Sequence, residues 1–199
     1  MKRRKLILGF LLVLLALAVY GWSLIRRGFS ARDNPSALET YIARGVRRLS
    51  IPASAKQAKA AFTSTPEILA EARAHFADHC AICHGNDGSG QTTIGQNLYP
   101  KPPDMRLAQT QNLSDGEIYY IIHNGIRLTG MPAWGDSRQD EDSWKLVHFI
   151  RHLPKLTPEE IKEMERFNPK STAEREEEMQ EEQFLSGEEP KKHKPMHHH

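Results

Sequence analysis

Cysteine is nearly missing from this 199-residue chain: there are two. A disulfide-stapled scaffold and a four-cysteine zinc module are therefore excluded. Net charge is as scarce, since 27 Lys and Arg meet 25 Asp and Glu for a formal +2, which excludes an overall polybasic nucleic-acid binder. No internal repeat is present. Acidic residues are absent from positions 1–27, and charge of either sign is absent from Leu6 to Ile25. The charge that remains is uneven: six basic residues in 1–27, near balance over 28–158, then 12 acidic against four basic residues in 159–190.

The uncharged run Leu6 to Ile25 spans about 30 Å as a helix, the thickness of a bilayer core. Lys2, Arg3, Arg4 and Lys5 precede it, and Tyr20, Trp22, Arg26 and Arg27 lie at its far end. This asymmetry predicts a cytoplasmic N-terminus and an exported remainder. A cleaved signal peptide ending at Ala16-Leu17-Ala18 is the competing reading, but hydrophobicity continues past Ala18 without a polar region. An uncleaved anchor is expected.

Beyond the anchor, Leu38, Ile42, Val46 and Leu49 recur with helical spacing among Arg44, Arg47 and Arg48. They predict a short basic amphipathic helix that lies on anionic lipid or, the simpler expectation, packs on the domain C-terminal to it. Residues 51–65 read as an irregular connection. Thr65 is a candidate N-cap, with Pro66 at the first helical position, and Ile68, Ala72, Phe76 and Cys80 form an i+4 stripe facing a core. A Gly- and Pro-rich loop covers 85–103. Ser114 and Glu117 have capping-box spacing, and the helix they start closes at Asn124-Gly125. Asp140 to His152 is the next helix, with Trp144, Val147, Phe149 and Ile150 inward. A charged helix carrying Ile161, Met164 and Phe167 begins near Thr157. Ser171 to Leu185 reads as a solvated helix or disorder.

Both cysteines fall in Cys80-Ala81-Ile82-Cys83-His84, which fits C-x-x-C-H. Two thiols three apart on one turn can each add to a vinyl group of one porphyrin, and the adjacent imidazole then faces the iron. A redox thiol pair, half of a zinc site and a plain disulfide are weaker readings, because strands, a second Cys pair or a role for His84 would be missing. A second axial ligand is expected from the loop Gly130-Met131-Pro132, and Met131 is the candidate. His123 is the alternative, giving a bis-His iron. Met105 reads as core packing, His75 and His79 as surface or propionate contacts, His148 and His152 as surface or partly packed, and Trp134 and Tyr99 as packing at the porphyrin edge.

These segments resemble class I c-type cytochromes over about residues 66–155, through Ala72-x3-Phe76-x3-Cys80-x2-Cys83-His84, Tyr119 to Gly125 leading into Gly130 to Trp134, and Trp144 to Ile150. The resemblance implies an all-α fold in which the first and last helices cross at Ala72 and Phe76 against Trp144 and Phe149. It implies one covalent haem c on Cys80 and Cys83, with His84 and Met131 as axial ligands. It also implies that the carbonyl of Pro102 or Pro103 accepts the imidazole N–H.

The organisation expected is a membrane anchor at 1–27, a juxtamembrane helix and linker at 28–65, a haem domain at 66–155 and a helical, charged extension at 156–199. The function expected is electron transfer, not enzymatic catalysis, by a single-pass protein of the bacterial cytoplasmic membrane. Its haem domain faces the periplasm and serves an oxidase or reductase complex, without nucleic acid. A fixed subunit of a larger complex and a peroxidase or gas sensor with a labile Met ligand are the alternatives. The final Lys194-Pro195-Met196-His197-His198-His199 holds soft and imidazole donors, and no function is assigned to it.

Overall fold

The computed structural model describes residues 2–135 and 140–186, so the donors at 196–199 lie outside the described residues. Among these all regular structure is helical. The first helix, α1 (Lys2–Arg27), buries none of its residues and has a mean hydropathy of 2.3 over its most apolar window, long and apolar enough to cross a membrane. Next comes α2 (Ala37–Ser50), whose N-cap Ser36 accepts from Glu39 N. The connection expected to be irregular contains one helical turn, α3 (Ala53–Gln57). It is held by long-range packing on the later helix that Ser114 starts, where Ser114 Oγ donates to Lys56 O at 2.8 Å. Nothing local in 51–65 specifies that contact.

The core forms where local signals and apolar stripes coincide. Thr65 caps α4 (Pro66–His75) by accepting from Ile68 N, with Pro66 in the first turn, where a missing N–H costs nothing. A π-helical turn, Phe76–Cys80, and the short α5 (Ala81–His84) continue it. After the loop come α6 (Ala108–Gln111), α7 (Asp115–Asn124), which begins with a complete Ser114–Glu117 capping box, and α8 (Asp140–His152). α4 packs on α8, and α7 packs on both α3 and α8.

The α4–α8 crossing is made by Ala72 and Phe76 with Phe149, all essentially inaccessible to solvent. Trp144 is partly buried against the same core. Its ring stacks on Tyr119 of α7, with centroids 4.3 Å apart and 15° between planes.

Packing continues past residue 155. Thr157 caps α9 (Pro158–Met164) with a second capping box. Met164 is fully buried in the core, with Leu156 and Phe167 packed against it. Arg73 of α4 pairs with Glu160 and Glu163, at 3.3 and 2.8 Å, and so secures this helix from outside. Asn168 and Pro169 end the segment, and α10 (Thr172–Ser186) follows.

α2 approaches the domain with its polar groups. Arg44 Nη2 donates to Gln109 Oε1 at 2.6 Å, and the Tyr99 hydroxyl donates to Glu39 Oε1. Leu38, Tyr41, Ile42, Val46 and Leu49 stay exposed. α2 is thus tied to the domain by hydrogen bonds, and the packing expected of its apolar stripe is not seen.

Candidate functional site

The π-helical turn and α5 place Cys80, Cys83 and His84 on consecutive turns of a continuous helical path, which stops at Gly85. Gly85 has φ +74°, a conformation that carries the chain away from the helix axis and that a side chain would strain. The loop then folds back over the turn it left. Gly90 N donates to His84 O at 2.7 Å, and Thr92 Oγ1 donates to Ile82 O at 2.8 Å. Gly95 N donates to Thr92 Oγ1 at 2.8 Å. A side chain at Gly95 would strike the Cys83 and Gly90 carbonyls and Thr92 Oγ1 together. The carbonyls at the end of this short helix are thereby satisfied, and the Cys83–His84 backbone is clasped.

Both cysteines are free thiols. Burial, with a contribution from the neighbouring Cys83, pushes the Cys80 thiol up to about 12, and burial raises Cys83. Burial also lowers His84 to about 4, so its imidazole is neutral at pH 7, the form that ligates a metal. His84 Nδ1 is buried without a hydrogen-bond partner. Neither Pro102 nor Pro103 accepts from it, although Pro102 O sits close beneath Gly90 in the same loop.

Met131 comes from the loop after α7. Gly125, at φ +65°, ends that helix and leaves space only for the returning Met131-Pro132-Ala133 backbone, with Pro132 C 2.6 Å from where a Cβ would stand. Ile126 N donates to Met131 O at 3.1 Å, Met131 N donates to Thr129 Oγ1 at 3.1 Å, and Trp134 N donates to Ile122 O at 3.1 Å. The Leu98 side chain packs on Gly130, joining this loop to the one that clasps Cys83 and His84. Met131 is half-buried.

The other sequence candidates are placed elsewhere. His123 stacks on Tyr119 with centroids 5.4 Å apart, lies 3.3 Å from Asp140 Oδ1, and has Gly135 pressed on its ring. Met105 is buried in the core, as packing requires. His75 and His79 meet edge to face at 4.9 Å, and Trp134 packs on His79 at 5.5 Å. These three, with Asp78, Asp142 and Phe167, line a cavity of about 700 Å³ that no residue of the Cys80–His84 turn enters, nor Met131. His148 packs on Phe62 and His152 pairs with Glu160. Tyr99 belongs to the α2 attachment through Glu39, which holds its hydroxyl proton and lifts it to about 12. Sequence reasoning missed Thr92, Gly95 and Leu98. Only the Gly-rich composition of the loop hinted at them.

Residues 67–150 match the family model of cytochrome C oxidase, cbb3-type, subunit III. That segment is a class I c-type cytochrome domain. No curated protein matches the chain. The matched segment does not include α1, α2, α3, α9 or α10.

A cytochrome c domain carries covalently bound haem c and transfers electrons through it. The residues present fit that group. Two unpaired thiols stand one helical turn apart beside a buried, neutral imidazole with a ring nitrogen that no protein group occupies. Among the described residues no group of three or more His, Cys, Asp and Glu is arranged to hold a metal ion directly. The iron of a porphyrin is the metal this donor set suits.

Proposed function

We propose that the protein passes single electrons to a membrane-bound terminal oxidase, as a haem subunit of that complex tethered by α1 at the periplasmic face of a bacterial cytoplasmic membrane. The observation that carries the proposal is the match of residues 67–150 to an oxidase-subunit family around the Cys80–His84 motif. Cys80 and Cys83 would hold one haem by thioethers, with His84 and Met131 as axial ligands. The group supplies a reversible one-electron change at iron.

The chain's own residues do the rest. Burial keeps His84 neutral. The Gly90, Thr92 and Gly95 contacts fix the backbone that carries it, so that the ligand is oriented before the electron arrives. With haem bound, the carbonyl of Pro102 or Pro103 would hold the imidazole N–H and make His84 a stronger donor. Ligation by Met131 together with His84 would raise the potential above that of a bis-His iron, which suits delivery to an oxidase. His123 is already engaged by Tyr119, Asp140 and Gly135, which favours Met131. Tethering supplies a high effective concentration at membrane complexes without a large contact surface. An electron carrier, not an enzyme, is the role these features support.

The test is native electrophoresis of detergent-solubilised host membranes with haem staining. The haem of this chain is expected to migrate with the oxidase, whereas migration alone would point to a tethered carrier that shuttles between complexes. Ready CO binding by the reduced protein at neutral pH would reject stable Met131 ligation.

A further inference from the structure

α2 meets the haem domain with polar groups and turns its apolar side outward. Leu38, Tyr41, Ile42, Val46 and Leu49 share one stripe of the helix, and each is exposed, from 53% at Ile42 to 85% at Leu49. The other faces make the attachments. Arg44 donates to Gln109 and Glu39 accepts from Tyr99. Lys56 Nζ donates to Arg48 O at 2.6 Å, Arg47 is half-buried, and Ile51, just beyond the helix, is buried. A single exposed leucine needs no explanation, but five large apolar side chains on one stripe mark a contact surface.

Three observations select the occupant. Nine residues, 28–36, separate the bilayer-length α1 from α2, and nine residues reach about 30 Å at most. In segment 26–50, Arg44 and Arg47 serve the domain side, which leaves Arg26, Arg27, Arg32 and Arg48 against Asp33 and Glu39 to draw it to an anionic surface. Arg48 stands one heptad from Tyr41 at the edge of the apolar stripe, and Phe29 in the connecting segment is 88% exposed. An apolar stripe flanked by arginines close to a membrane helix has the make-up of an interfacial helix.

We infer that α2 lies in the headgroup region of the anionic bilayer that α1 crosses, with its stripe inserted and its polar back bearing the haem domain. The inference rests on the reading of α1 as an anchor. It makes α2 a second attachment that holds one face of the haem domain toward the membrane, where a single anchor would let the domain swing.

The test uses the full-length, haem-loaded protein, whose own cysteines are consumed by the haem. Nitroxides are placed singly at Ile42→Cys, Ala43→Cys and Leu12→Cys, and each protein is reconstituted into vesicles of phosphatidylethanolamine and phosphatidylglycerol. Power-saturation EPR of the reduced protein compares relaxation by oxygen with relaxation by a water-soluble nickel chelate. The oxygen-to-nickel ratio is expected to be severalfold higher at position 42 than at position 43, and high at position 12. A high ratio at 12 with water-like values at both 42 and 43 overturns the inference and leaves the anchor standing. Water-like values at 12 and 42 overturn both. All three substitutions are at exposed positions, and an unchanged haem spectrum verifies folding.

Discussion

The rings of Phe76 and Phe149 lie 5.0 Å apart with 53° between their planes, and neither is exposed to solvent. This pair joins the helical path that ends in the C-x-x-C-H motif to α8. It sits four residues before Cys80, so its packing positions the cysteine turn. Replacing Phe149 by Ala removes a fully buried ring and leaves a cavity, a change that costs about 3–5 kcal/mol. Thermal unfolding followed by circular dichroism is expected to show a Tm lowered by many degrees, with poorer haem incorporation in the same variant.

The parts of this architecture that depend on neighbours in sequence were readable there, and those that depend on distant neighbours were not. Thr65, Ser114 and Thr157 announce helix starts because a capping side chain bonds within three residues of itself. Cys80, Cys83 and His84 are legible for the same reason, as one turn of chain. Aromatic spacing does not say which ring Trp144 will meet, and its stacking partner Tyr119 is 25 residues away in sequence. Trp134 and Tyr99 meet His79 and Glu39, contacts across 55 and 60 residues that no local signal announces. For α2, periodicity marks an apolar stripe without saying what covers it.

The proposed ligation by Met131 has a direct spectroscopic consequence. Met131→Ala is expected to abolish the ferric methionine–iron charge-transfer band, open the iron to CO and lower the midpoint potential. His123→Gln should leave all three unchanged, because His123 is occupied by Tyr119 and Asp140. Redox titration and CO difference spectra of the two variants give the answer. A wild-type protein without the band, in which only the His123 variant opens the iron to CO, would reverse the assignment.

Gly95 is expected to be intolerant of even one added carbon. A Cβ there meets Gly90 O at 2.8 Å and Thr92 Oγ1 at 2.9 Å as well as the Cys83 carbonyl, and backbone cannot yield as a flexible side chain does. Gly95→Ala should therefore loosen the clasp over Cys83 and His84 and cost about 1–3 kcal/mol as overpacking. Thr92→Val, which keeps the shape but removes the hydroxyl that serves Ile82 O and Gly95 N, tests the same clasp without a clash. Denaturant unfolding of both variants is the measurement, and wild-type midpoints in both would show that the loop does not brace the motif.

Met164 makes the segment after 155 a stability element. Its side chain has no exposed surface, so Met164→Ala is expected to cost about 2–5 kcal/mol. A surface change on the same helix, Lys162→Ala, should stay within about 0.5 kcal/mol. Chemical denaturation distinguishes the two. Equal midpoints would mean that α9 contributes nothing to the domain.

The hold on α9 should release in acid. Glu160 accepts from Thr157 N at 2.9 Å, lies 3.2 Å from His152 Nε2 and 3.3 Å from Arg73 Nη1. Partial burial by itself would raise this carboxyl, but the Thr157 and His152 hydrogen bonds and the charges of His152 and Arg73 outweigh it and keep it below its ordinary 4.5. A folded value below the unfolded one means that the unfolded chain takes up the proton first. The stabilisation is therefore complete above about pH 4.5 and is lost as pH falls through the lower folded value. Hydrogen exchange of the α9 amides, corrected for intrinsic chemistry, is expected to accelerate across that range before α4 and α8 open. In Glu160→Gln the helix should already exchange faster at neutral pH and show a weaker acid step. An α9 that stays protected down to the acid unfolding of the whole domain would show that Met164 holds it without help from this carboxylate.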